Sequence, residues 1–209
     1  MGYIGPMELR VDCYVDPACP FAWATSRWLT DVAEQREDVT LTLRQMSLAT
    51  LNADVIARGE MDPSMAHHMD TSRTGGRLLA SVDPSHFAEM YAALGRRVHL
   101  EHLDITADVA RDALTECGLD PGQAAAIDDP TLDERVEAAH AHAVRIYCES
   151  SGTPIVAIDG RAFFGPVITE IPTGTAATEL FDAVVVLAHS SAFAQMQRPR
   201  SGPPTLTKG

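Results

Sequence analysis

Long apolar runs are missing from this sequence. No uninterrupted stretch approaches the roughly 20 residues that a membrane-spanning helix requires, which argues against an integral membrane protein. The N-terminal segment, "MGYIGPMELRVDCYV", has no basic stretch followed by an apolar one. No secretory leader is read there, and the chain is expected to stay in the cytoplasm. Cysteine is scarce as well. Cys13, Cys19, Cys117 and Cys148 are widely scattered and match neither a disulfide framework nor a zinc-ligand spacing. A cytoplasmic setting keeps such thiols reduced. Positive charge is in deficit, with 16 Lys and Arg against 29 Asp and Glu and a formal net charge of −13. That surface repels phosphate backbones and anionic lipid, so neither nucleic acid nor membrane is expected as a partner. Phosphate loops are absent too. Gly75-Gly76 lacks a strand–glycine–helix context, and Gly165-Pro166 follows a hairpin. No flavin or nicotinamide fingerprint is visible, and no metal site is expected.

Hydrophobic residues make up 45% of the 209-residue chain, enough to bury a sizeable core. The length fits one domain, or one domain with a large insertion. "LRVDCYV", residues 9–15, alternates apolar and polar and reads as a strand. "DPACP" breaks it. From Ala22 to about Gln35 the apolar positions Trp23, Trp28, Leu29, Val32 and Ala33 recur at helical spacing. "DVTLTLRQM", 38–46, is a second strand, and strand–helix–strand implies parallel pairing. Residues 51–148 carry almost no strand signal and read as an all-helical insertion, in which Gly75-Gly76 weakens one helix. "TPIVAIDGRAFFGPV", 153–167, is a hairpin turning at Asp159-Gly160, and a closing helix follows it. The organisation is therefore βαβ over 8–50, helices over 51–148, ββα over 149–196, and a polar Pro/Gly-rich tail over 197–209 that reads as disordered.

Cys19 stands just ahead of the first helix, with Pro20 in its first turn. Free N–H groups and the helix dipole at such a place favour a thiolate. Three residues on, where a C-x-x-C pair would place its second thiol, stands Ala22. Strand, C-P at a helix start, second strand, helical insert, then Thr153-Pro154 before a hairpin and a final helix is the thioredoxin order of the DsbA-like branch. In thioredoxin-like folds that second proline is cis and lies against the active cysteine.

The segments "DPACPFAWATSRWL", "MSLATLN", "GRRVH", "SGTPIV" and "RAFFGPVITEIPTG" go further. They resemble the mycothiol-dependent nitroreductase group of DsbA-like proteins from actinobacteria over nearly the full chain. The resemblance implies an α/β thioredoxin fold with a helical insertion. It also implies a cytoplasmic enzyme that takes electrons from mycothiol or a similar low-molecular-weight thiol and acts on a small-molecule substrate in a cleft between the subdomains. The motif of the group is C-P-W-C. Its attacking cysteine falls on Cys19 and its proline on Pro20, while Phe21 replaces its tryptophan and Ala22 its second cysteine. Trp23, Asn52 and His99 match residues expected on the substrate side, and Thr153 and Pro154 match the T-P that meets the bound thiol.

Ala22 leaves three readings open. Cys19 works as a monothiol with a small thiol. Or it steers a thiol cofactor onto an electrophile, as in kappa-class glutathione transferases. Or it retains only a binding cleft. Of the other cysteines, Cys13 reads as core and Cys117 as inert, while Cys148, five residues before Thr153, is near enough in sequence to approach the site. His67, His68, His140 and His142 read as solvated because their spacings do not share a helix face. His99 and His102, three apart, lack the H-E-x-x-H pattern of a zinc hydrolase. Trp28 reads as a core anchor, and Arg27 as solvated or salt-bridged ahead of a partner for an anionic cofactor or substrate. A monomer or a homodimer is expected.

Overall fold

A computed structural model of the protein describes residues 8–206. Strand β1 (Leu9–Val15) leads through a buried turn into helix α1 (Pro20–Gln35), and β2 (Val39–Gln45) returns beside β1. The pairing of β1 with β2 is parallel, Leu9 opposite Val39 and Val15 opposite Gln45, as an intervening helix requires. Six helices follow: α2 (Leu48–Leu51), α3 (Ala53–Ala57), α4 (Pro63–Ser81), α5 (Phe87–His99), α6 (Ala107–Glu116) and α7 (Asp133–Tyr147), with short 3-10 turns between them. Then come β3 (Ile155–Ile158), β4 (Arg161–Phe164) and α8 (Thr175–His189). The sheet runs β2-β1-β3-β4, with β3 antiparallel to both of its neighbours. Between β3 and β4 the chain reverses at Asp159 and Gly160, with φ of 49° and 78°. Those left-handed values are the reason for the Asp-Gly dipeptide.

One core joins the sheet, α1, α8 and the helical insert. Trp28, fully buried, edges onto Phe181 of α8 and donates its indole N–H to the Ala177 carbonyl at 2.9 Å. An aromatic of that size contributes its apolar area and still satisfies its one polar atom. On the other side of α1, Gly95 of α5 meets the Trp23 ring so closely that a Cβ would stand 2.3 Å from it. The insert is thus pressed onto the helix that carries Cys19.

Several sequence expectations need correction. Gly75-Gly76 does not weaken its helix, which runs through both residues. A Cβ on Gly75 would meet Ile105 at 2.8 Å and Pro17 at 2.9 Å, so glycine there permits close packing beside the Cys19 turn. His140 and His142 are not solvated in common. Because α7 packs against β2, β3 and α4 at once, His140 is buried and the His142 ring nitrogen Nδ1 meets the Tyr14 hydroxyl at 3.2 Å. The tail read as disordered over 197–209 is exposed and without helix or strand from 197 to 203, yet it touches the fold at Arg200 and over 204–206. The Thr205 N–H donates to the Thr169 carbonyl at 2.7 Å, Thr205 bridges to Glu170, Pro204 is buried, and Leu206 packs against the core. A proline-rich stretch has little chain entropy to lose, so a few such contacts hold it. Residues 207–209 of that tail lie outside the described residues. No helix among the described residues is long and apolar enough to cross a membrane.

Candidate active site

Cys19 is the N-cap of α1, with extended φ and ψ of −89° and 111°, and Pro20 opens the helix. Its Sγ accepts from the Ala22 N–H at 3.4 Å. It also donates to the Thr153 carbonyl at 3.4 Å, 134 positions away. The Thr153–Pro154 peptide is cis. Thr153 is buried and fixed in turn, since its hydroxyl donates to the Tyr14 carbonyl at 2.8 Å. The helix start and the T-P strand, far apart in sequence, therefore meet at one sulfur.

The resting state of that sulfur differs from the sequence expectation. Cys19 is only 7% exposed. Burial pushes its thiol from 9.0 up to about 12, against the pull of the Ala22 and Phe21 N–H groups. The cost of placing a bare charge in a dry setting outweighs the helix N-terminus. At neutral pH Cys19 is a protonated thiol that donates to Thr153, and not a standing thiolate.

Around it lies a set of aromatic and polar groups. Trp23, one turn along, lies between Tyr91 at 5.9 Å and His99 at 5.7 Å between ring centroids. Trp23 Nε1, the Tyr91 hydroxyl and His99 Nε2 are all buried and lack a hydrogen-bond partner among the described residues. Such orphans are uncommon in a settled interior. Burial lowers His99 from 6.5 to about 4, so its imidazole is neutral near pH 7. Arg27 corrects another expectation. Its guanidinium is neither solvated nor in an ion pair among the described residues but lies over the Trp23 ring at 4.8 Å. The tail supplies Arg200, over the Phe21 ring at 4.7 Å.

Asp16 was not among the sequence candidates. It is fully buried between β1 and α1. Its carboxylate accepts from the Ala18 N–H at 2.7 Å, the Leu48 N–H at 2.7 Å and the Ser72 hydroxyl at 2.5 Å, while its carbonyl accepts from the Cys19 N–H at 3.1 Å. One side chain thus ties the Cys19 turn to α2 and α4. Nothing in "DPACP" sets it apart from an ordinary Asp-Pro turn. Asn52 joins this network at one remove: its amide donates to the Leu48 carbonyl at 2.8 Å and contacts Met69 Sδ at 3.6 Å. Cys13 is buried in β1, Cys117 is half-buried, and Cys148 is exposed with its thiol toward the Arg145 carbonyl at 3.6 Å. Two cavities, of about 210 and 330 Å³, lie beside α3 and beside β2, and Cys19 lines neither. No cluster of three or more His, Cys, Asp or Glu side chains among the described residues is placed to hold a metal ion.

Comparison with known proteins bears on this geometry. Residues 18–198 match the family model described as Rv2466c-like, mycothiol-dependent nitroreductase Rv2466c. The Mycobacterium tuberculosis protein Rv2286c is 33% identical over 193 residues, covering 91% of this chain and 82% of that one. Among solved structures, a probable DsbA oxidoreductase, SCO1869, from Streptomyces coelicolor superposes with a TM-score of 0.60 at 17% identity, over 93% of this chain and 97% of the other. Chlamydia trachomatis DsbA superposes with a TM-score of 0.58 at 13% identity, over 92% and 96%. At those identities the structures establish the DsbA-like thioredoxin fold.

Proposed function

This chain belongs to the Rv2466c-like family of mycothiol-dependent nitroreductases, and from that premise we propose that it is a thiol-dependent oxidoreductase in which Cys19 works as a single thiol with a low-molecular-weight thiol, mycothiol, as co-substrate. The observation that carries the reading is the Cys19–Thr153 contact at the start of α1, kept intact although Ala22 removes the second thiol. A cytoplasmic setting follows from the same premise.

The chemistry balances without an internal disulfide. Cys19 loses its proton to solvent. Its thiolate attacks the mycothiol sulfur of a mixed disulfide, forming a Cys19–mycothiol disulfide and expelling the substrate as a thiolate. A second mycothiol thiolate attacks the bound mycothiol sulfur, which frees Cys19 and leaves oxidised mycothiol. Two electrons pass from mycothiol to the substrate. The backbone of Thr153, ahead of Pro154, would pair with the bound thiol in strand fashion. Phe21 and Trp23 would wall the substrate side. Asn52 would brace that side from α2. The unpartnered polar atoms of Trp23 and His99 offer hydrogen bonds that a bound molecule can complete.

The test is mass spectrometry after exposure to oxidised mycothiol. A single adduct on Cys19, absent from Cys19→Ser, is expected, and turnover of mycothiol mixed disulfides should be lost in that variant. An unmodified Cys19 would remove the reading. Incubation with an electrophile plus mycothiol separates the alternatives, since a reduced product supports the reductase and a stable thiol conjugate the transferase.

A further inference from the structure

Arg200 lies in the segment after α8 that returns across the site. Its guanidinium stands 4.7 Å from the centre of the Phe21 ring, and Phe21 is two residues from Cys19. The segment is anchored beyond it by the Thr205–Thr169 hydrogen bond of 2.7 Å and by Leu206 against the core. Arg200 has no ion pair among the described residues, so no neighbouring carboxylate cancels its charge.

The other groups facing Cys19 do not favour its ionisation. Asp16, in the turn before it, opposes a second negative charge. Tyr91, from α5, is a buried phenol pushed well above 10. His99, at the end of the same helix, is neutral near pH 7. Arg27 lies over Trp23, and its field acts on Cys13 and Tyr91. Beyond the larger pull of the Ala22 and Phe21 N–H groups, the charged side chain that favours the Cys19 thiolate is the exposed Arg200. A buried thiol is helped toward its thiolate by N–H donors and by a nearby positive charge.

We propose that the C-terminal strap is part of the active site and that Arg200, acting through Cys19, is the positioning residue that stabilises its thiolate. The inference rests on the reading of Cys19 as the reactive thiol. A planar guanidinium suits the role, because it stacks on Phe21 and keeps its charge at every working pH. The strap would then contribute twice, covering the aromatic wall and supplying charge.

The experiment is the rate of Cys19 alkylation by iodoacetamide at a fixed mildly alkaline pH, which follows the thiolate fraction, read by mass spectrometry with Cys19→Ser as the blank and repeated in Arg200→Met and Arg200→Lys. Methionine keeps an apolar contact with Phe21 and removes the charge, whereas lysine keeps the charge. We expect the rate to fall by roughly two- to threefold in Arg200→Met and to return most of the way in Arg200→Lys. Thermal unfolding of both variants should stay close to wild type. Equal alkylation rates in wild type and Arg200→Met would overturn the inference, as would equal changes in the methionine and lysine variants, which would signify cover and not charge. A Cys19 that resists alkylation equally in all three proteins would overturn it too. The adduct with oxidised mycothiol is scored separately, so a failure of the mycothiol reading is distinguishable from a failure of Arg200.

Discussion

Ser72, midway along α4, donates its hydroxyl to the carboxylate of Asp16, three residues ahead of Cys19, at 2.5 Å. The contact ties the helical insert to the Cys19 turn through a group that burial pushes from 3.8 up to about 6.

That shift has a definite sign. A carboxyl whose folded value is raised favours the folded state when protonated. Its contribution is full below about pH 4 and is lost as pH rises through about 6. Asp16→Asn cannot ionise. Urea unfolding should therefore show the stability of wild type minus variant falling between about pH 4 and 7. The asparagine still costs roughly 1–3 kcal/mol at low pH, because its single amide oxygen cannot serve both the Ala18 N–H on one side and the Leu48 N–H and Ser72 hydroxyl on the other. A difference that does not vary with pH would refute the raised carboxyl.

His99 runs the other way. Its folded value is depressed from 6.5 to about 4, so the neutral ring contributes stability above about pH 6.5 that is lost as pH falls through about 4. In His99→Phe the gap from wild type should shrink on acidification, opposite to the trend for Asp16→Asn. The two variants, unfolded side by side from about pH 4 to 7, form an internal control. Parallel trends would contradict one of the two assignments.

Gly95→Ala tests the seam between α5 and α1. Alanine is the better helix former by about 1 kcal/mol, so propensity alone predicts stabilisation. The new Cβ, however, would stand 2.3 and 2.4 Å from Trp23 ring carbons. Overpacking of this kind costs about 1–3 kcal/mol, and the net change should be destabilising. In a Trp28→Phe background, the emission of Trp23 should shift as its ring is displaced. A more stable variant with unchanged emission would show that the two helices are not pressed together.

Ala22→Cys restores the second thiol position. Ala22 is fully buried and its N–H already points at Cys19 Sγ, so the added thiol is placed to attack a disulfide on Cys19. The mycothiol adduct, persistent in wild type, should decay in the variant with release of mycothiol and formation of a disulfide between Cys19 and the introduced thiol. Mass spectrometry over time reads both. An adduct equally long-lived in the variant would show that the pocket no longer tolerates dithiol chemistry.

The strands, the parallel βαβ unit, the hairpin and the Cys19 and Thr153-Pro154 positions were legible because local pattern governs them. Alternation in "LRVDCYV" and the Asp-Gly dipeptide need no knowledge of partners. What escaped depends on long-range contacts. Asp16 reads as a turn residue until Leu48 and Ser72 arrive from elsewhere. Gly75-Gly76 reads as weakness until Pro17 and Ile105 lie against it. The tail reads as loose until Thr169 supplies a carbonyl and Phe21 a ring for Arg200. The state of Cys19 was misjudged for the same reason, since helix position is local and burial is not.

The anchoring of Thr205 on Thr169 has a practical side. An affinity handle fused at the C-terminus would hang from the same segment that lays Arg200 on Phe21, and its bulk or charge would act within the neighbourhood of Cys19. Strand β1 enters the sheet at the end opposite Cys19, so a handle ahead of it leaves that neighbourhood alone. Recombinant preparations that differ only in which end carries the handle should differ in thiol reactivity.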